Sequence, residues 1–416
     1  MREPRELPIS PIRLTPIGEE IFGIWREHNL AQLELPLSNV MGLFAGALSL
    51  RRSIIRLALY VVKYLGLFRL ARHVTRDGLR IICYHGFAVA TEYQFRRTLF
   101  IRGELFRRRM QYLRREGYPI LPLSEAIEAL DTGRLPPCAT VITMDDGWRG
   151  VYSHGLPIIK ELQIPVTVYV ATYYVENPMP VYTVTSSYLF WRTKAQRVDL
   201  PRGLGRFDLG SQAEEAEEAA QQFGASLPAA ERLEFLKELA RALYVSFDVI
   251  EKGRLFRVMD EQELRSLSDA GVDIQLHSHR HEWPLYDRQT VESEIIENRK
   301  FLQRLVSHPL EHFCYPSGVY GPHQAEWLAA LGVKSATTIE PGLNFADTPR
   351  HALRRMLDGG RVSDIEFAAE VTGFMEIVRW LRQRQFVSSL RRRFRTPRPS
   401  EAENAGSLGA TAIRSQ

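Results

Sequence analysis

Two short segments of this sequence concentrate side chains that can hold a cation and move protons. Asp145-Asp146-Gly147 follows the apolar run Thr140–Met144 (TVITM) directly. Alone, Asp-Asp-Gly is an ordinary turn, because Gly supplies positive φ and Asp tolerates turns. Two adjacent carboxylates at the end of an apolar run, however, repel unless a cation or a shared proton relieves them. His277-Ser278-His279-Arg280-His281 follows the run Val272–Leu276 (VDIQL) and gathers three of the chain's 11 histidines. A lone His is usually a satisfied core residue, whereas a cluster after an apolar strand points to a metal. Neutral imidazole is the commonest zinc ligand, and His plus carboxylate with an open position is the catalytic arrangement. In an extended segment all three imidazoles share one face. With a turn after Ser278, His277 and His281 converge and His279 points elsewhere. Spacing alone does not choose. A third segment, His312 to Gly318 (HFCYPSG), can aim a backbone N–H into a site as an oxyanion donor, though alone it is simply a turn.

These segments need elements to position them. Apolar or β-branched runs recur at Leu79–Tyr84, Thr140–Met144, Pro165–Ala171, Val272–Leu276, His312–Tyr315 and Lys334–Thr338, with amphipathic segments between them. Alternation of this kind implies parallel strands with crossover helices. Six or seven units favour a closed or partly closed β/α barrel over a doubly wound sheet, with its chemistry at the strand ends. The stretch 175–258 is too long for a loop and reads as a helical insertion between the third and fourth strands. It carries Tyr182, Tyr188, Phe190 and Trp191, which suit either a stacking surface or a core of their own. The remaining divisions are a poorly structured leader (1–40), a basic amphipathic helical region (41–76), a barrel (77–372), a C-terminal helix (373–395) and a disordered tail (396–416). Met41 is an alternative start to Met1.

Of the 416 residues, 45% are hydrophobic and 25% charged, as in a globular protein, and the net charge is +5. No zinc-finger spacing or basic reading helix is present, so nucleic-acid binding is not expected. Cys83, Cys138 and Cys314 are far apart and read as buried free thiols. No apolar stretch reaches the roughly 20 residues of a membrane span. Residues 53–70 (SIIRLALYVVKYLGLFRL) carry Arg56, Lys63 and Arg69 at about two-turn intervals, which fits a membrane-surface helix or a helix packed on the barrel. With no signal-peptide pattern, the expected location is cytoplasmic or peripheral at the inner membrane face.

Thr143-Met144-Asp145-Asp146-Gly147 resembles the first motif of the polysaccharide deacetylase family (the NodB-homology, carbohydrate esterase 4 family), and His277-Ser278-x-x-His281 resembles its second. Phe313-Cys314-Tyr315-Pro316-Ser317-Gly318 is similar to the third. Tyr84-His85 and the run from Glu340-Pro341-Gly342 to Arg355 resemble the exopolysaccharide-associated branch. The similarity covers about Leu79 to Arg361. It implies a distorted barrel of about seven strands that hydrolyses the N-acetyl group of an amino sugar, in a polysaccharide or glycan precursor, to acetate and a free amine. It also implies one divalent ion, expected to be zinc, on Asp146, His277 and His281, with His279 a bystander. Asp145 is then the general base and the Tyr315 N–H the oxyanion donor.

The sequence departs from the pattern in three places. Cys314 stands where an Arg often holds the base, and neither an Asp-x-x-Asp-Trp nor a Leu-x-His motif follows. By the resemblance to the exopolysaccharide branch, His85 takes the acid's role, with His351 as a substitute, and Arg355 orients Asp145. The competing readings are a deacylase of a non-carbohydrate amide and a non-catalytic glycan-binding protein on the same fold.

Overall fold

The structure, a computed structural model, describes residues 52–382. Two units are distinguished, residues 1–60 and 61–416. Of the first, residues 52–60 are described and helical. The leader, both candidate starts and the tail from 396 lie outside the described residues. The second unit carries the barrel.

Its main sheet has seven parallel strands: β1 (Arg80–Tyr84), β2 (Thr140–Met144), β3 (Thr167–Val170), β4 (Asp273–Leu276), β5 (His312–Cys314), β6 (Ser335–Thr337) and β7 (Met356–Leu357). They lie in the order β6-β5-β4-β3-β2-β1-β7. β1 and β2 pair from Arg80↔Thr140 to Tyr84↔Met144. β1 to β3 are buried along their whole length, as strands covered on both faces must be. The ring closes through one segment: Leu353 exchanges backbone hydrogen bonds with β6, while Met356 and Leu357 pair with β1. The result is the distorted (β/α) barrel expected of the sequence. The seventh strand was not among the apolar runs, because Met356–Leu357 is only two residues long and follows two arginines.

Crossover helices cover the sheet where the amphipathic spacing places them. They are α1 (Gly103–Arg115), α2 (Leu156–Leu162), α3 (Glu261–Asp269), α4 (Arg288–Leu302) and α5 (Gln324–Ala330). Asp260 starts α3 with a capping box, its side chain accepting the Glu263 N–H while Glu263 reaches back to the Asp260 N–H.

Between β3 and β4 the chain forms four further helices of six residues or more: Tyr182–Arg192, Ala213–Ala225, Ala229–Ala242 and Asp248–Gly253. An antiparallel pair, Arg197–Leu200 with Gly205–Asp208, joins them. The helical insertion expected of the sequence thus also holds a strand pair. It has its own core, in which Tyr182, Tyr188, Leu189, Phe235 and Leu239 are buried together with Phe100 and Trp148. The aromatic residues divide accordingly: Tyr182 and Tyr188 are core, and Trp191 is exposed.

Candidate active site and metal centre

Because every strand of the main sheet runs the same way, residues that follow strands meet at one end. Asp145 and Asp146 follow β2, His277 follows β4, Tyr315 follows β5 and His85 follows β1. The chain must turn sharply there while aiming side chains inward. Asp146 (φ 71°), Ser278 (φ 63°) and His281 (φ 60°) all adopt left-handed backbone conformations. Non-glycine residues rarely do so, and such strain concentrates at functional sites. The turn after Ser278 separates the histidines as one of the two sterically open arrangements requires.

Asp146 Oδ1 lies 3.1 Å from His277 Nε2 and 3.3 Å from His281 Nε2. Ligand atoms of all three residues fall within 4.8 Å of one another. The other nitrogen of His277 donates to Cys314 O at 2.8 Å. That bond fixes the tautomer and leaves Nε2 as the free donor atom, the usual device for orienting a metal-binding imidazole. Asp146 Oδ2 accepts the Trp148 indole N–H at 2.6 Å, so Oδ1 is the oxygen turned towards the histidines. Burial alone would push the Asp146 carboxyl up, but the closeness of the His277 and His281 imidazoles outweighs it and holds it well below the usual range. Two imidazole nitrogens and one carboxylate oxygen, each with its second atom already engaged or exposed, fit a divalent ion with open positions.

His279 is elsewhere. Its Nδ1 meets Thr172 Oγ1 at 2.9 Å and its Nε2 faces Glu297 at 3.7 Å and Glu176 at 3.8 Å.

Asp145 is buried beside this trio. Arg355 Nη1 donates to Oδ1 at 2.7 Å and Nη2 to Oδ2 at 2.8 Å, a parallel two-bond fork. Arg355 is itself fully buried and donates its Nε–H to Thr338 O. Burial raises the Asp145 carboxyl, but the Arg355 charge outweighs it and brings the pKa down to about 2. The thiols of Cys83 and Cys314 approach Oδ2 at 3.4 and 3.5 Å. Cys314 therefore adds only a thiol contact to the Asp145 carboxylate, and the guanidinium that holds it comes from Arg355.

His85 Nε2 is 4.0 Å from Asp145 Oδ2 and its side chain is partly open to solvent. It stands on the Asp145 side of the site. His351 is tied to Val333 O, before the start of β6, and takes no part in the cluster. Tyr315 departs from its expected role: its backbone N–H donates to Thr337 O at 3.1 Å, extending the β5–β6 pairing, and is already spent. Its hydroxyl donates to His351 O.

Three supporting residues were not singled out in the sequence. Asn298 Oδ1 accepts the His277 N–H, and its amide donates to Val170 O and Thr172 Oγ1. Glu294 accepts the backbone N–H groups of His279 and Arg280 at 2.8 and 2.6 Å. The two sit one turn apart on the buried face of α4, among Val291, Ile295 and Leu302. Polar residues at i and i+4 on an apolar face were the available signal. Trp148 is the third, and through it the insertion's core reaches the Asp146 carboxylate.

Residues 133–336 match the family described as polysaccharide deacetylase, so the chain carries a polysaccharide deacetylase domain and is a hydrolase of carbon–nitrogen bonds other than peptide bonds. Among solved structures it is similar to the deacetylase PplD of Streptococcus pyogenes in complex with acetate (18% identity, TM-score 0.48, covering 71% of this chain and 98% of that one). It is also similar to IcaB from Ammonifex degensii (19%, 0.47, 71% and 97%) and to the BpsB deacetylase domain from Bordetella bronchiseptica (16%, 0.42, 67% and 95%). No curated protein matches the chain by sequence.

Proposed function

We propose that this deacetylase removes the acetyl group from an amino sugar of a polysaccharide or glycan precursor. Asp146, His277 and His281 hold one divalent ion and Asp145 is the base. The observation that carries the reading is the convergence of two imidazoles and one carboxylate beside a second carboxylate that an arginine holds ionised. Two nitrogen ligands and one oxygen suit zinc. Such an ion supplies a Lewis acid that polarises the acetamide carbonyl and acidifies water.

The chain's own groups do the rest. Asp145 takes a proton from the attacking water through Oδ1, whose one hydrogen bond, from Arg355 Nη1, leaves it a lone pair. The water oxygen bonds to the carbonyl carbon and gives a tetrahedral intermediate. His85, 4.0 Å from Asp145 Oδ2, delivers a proton to the sugar nitrogen as the carbon–nitrogen bond breaks. The products are acetate and a free amine. Standing on the Asp145 side, His85 serves best as a relay that passes on the proton taken from water. The oxyanion role of Tyr315 is withdrawn, since its N–H is engaged.

The non-catalytic alternative drew on the missing Arg at position 314 and the missing late His; of these, the guanidinium is supplied by Arg355. The exopolysaccharide branch and the sugar itself remain part of this proposal. The test is acetate release from N-acetylglucosamine oligomers and lipid-linked N-acetyl sugars. Release from neither, with release from non-carbohydrate acetamides, would move the chain to the amide-deacylase reading.

A further inference from the structure

No helix among the described residues is long and apolar enough to cross a membrane. Yet the helix Leu67–Val74, which leads into β1, has two differently used faces. Phe68 and Ala71 are buried, while Leu70 and Val74 are 57% and 60% exposed. Just before it, Tyr64 and Leu65 are 87% and 70% exposed. A second helix, residues 374–382, is fixed beside it. Phe68 and Phe374 pack at 5.4 Å, and Thr75 Oγ1 donates to Thr372 O at 3.3 Å. It exposes Trp380 and Leu381 by about half. Neither the barrel core nor the insertion core includes any of these six side chains.

Charge selects the occupant. From Met41 to Arg76 the sequence has no Asp or Glu, but has Arg51, Arg52, Arg56, Lys63, Arg69, Arg72 and Arg76. Lys63 and Arg69 are exposed, and neither has an ion pair among the described residues. A second copy of this face would bring like charges together. An anionic bilayer offers apolar depth for the leucines, an interface for Tyr64 and Trp380, and negative headgroups for the cations.

We propose that the helix Leu67–Val74 and the adjoining 374–382 helix form a docking face for an anionic lipid surface, on which the barrel works as a peripheral enzyme. This gives physical content to the inner-face location expected of the sequence. It does not depend on the deacetylase reading, because lipid binding is read without substrate.

The test uses the full chain and co-sedimentation with vesicles of phosphatidylcholine, with and without phosphatidylglycerol. Binding is expected only to the anionic vesicles, weakening with salt. L70E and V74E together should lower partitioning at least about tenfold, and K63Q or R69Q about fivefold each. D145N, which ends deacetylation, should sediment like the parent. Failure to bind anionic vesicles, or unchanged binding in the L70E/V74E chain, overturns the proposal. So does a dimer that L70E converts to monomer, which would assign the face to a second copy.

Discussion

The fork between Arg355 and Asp145 is where structure and chemistry are most tightly joined. Replacing Arg355 by Met removes a guanidinium that is completely buried and leaves a carboxylate that is 4% exposed. The apolar chain roughly keeps the volume, so the loss is chiefly electrostatic. Holding the Asp145 carboxyl from its ordinary 3.8 down to about 2 corresponds to about 2–3 kcal/mol at neutral pH. Removing one partner also strands the other in the core, for a total of about 3–5 kcal/mol. The sign with pH is fixed. Because the folded pKa is depressed, the stabilisation is fully present above about 4 and is lost as pH falls towards 2. Urea unfolding at pH 7, 5 and 3 reads this directly. R355M should be several kcal/mol less stable than the parent at pH 7, with the gap closing on acidification. The double variant R355M/D145N should recover part of the loss, since a neutral amide needs no counter-charge. Two outcomes would refute the reasoning: R355M within about 1 kcal/mol of the parent at pH 7, or a double variant no more stable than R355M.

Other consequences can be measured independently. W148F removes the indole N–H from Asp146 Oδ2 and should weaken metal affinity about 10–100-fold, measured by chelator competition. H85A should lower kcat about 10²-fold or more without changing metal content, as expected of a group that moves a proton and binds no ion. E294A leaves the His279 and Arg280 N–H groups unpaired and should cost about 2–4 kcal/mol in denaturant unfolding. G150A should fail to fold or lose several kcal/mol, because its Cβ would stand 1.9 Å from the Phe87 carbonyl oxygen, a backbone atom that cannot step aside.

The strand–helix alternation was legible because each central strand is covered on both faces and must read as an apolar run. The last strand was not, because pairing of two residues on each side of the ring leaves no periodicity to detect. Asp146, His277 and His281 stood out as types concentrated after strands. Their geometry did not, since it depends on three left-handed residues that sequence spacing cannot supply. Arg355 was placed beside Asp145 by resemblance alone; nothing local marks an arginine that reaches across the barrel. Tyr315 shows the opposite failure. A strand-end amide looked available from the motif, and the pairing of β5 with β6 consumes it. Glu294 and Asn298 support the site from a helix, where polar residues on a buried face are easily read as ordinary pattern noise.

The central claim is that Asp146, His277 and His281 hold one divalent ion with Asp145 beside it as a base and not as a ligand. Metal content per chain, measured on the parent, D145N and H277A after exhaustive dialysis, tests it most directly. The account predicts one equivalent in the parent, one equivalent in D145N despite lost acetate release, and none in H277A. An H277A chain that keeps its full equivalent, or a D145N chain that loses it, would contradict the account.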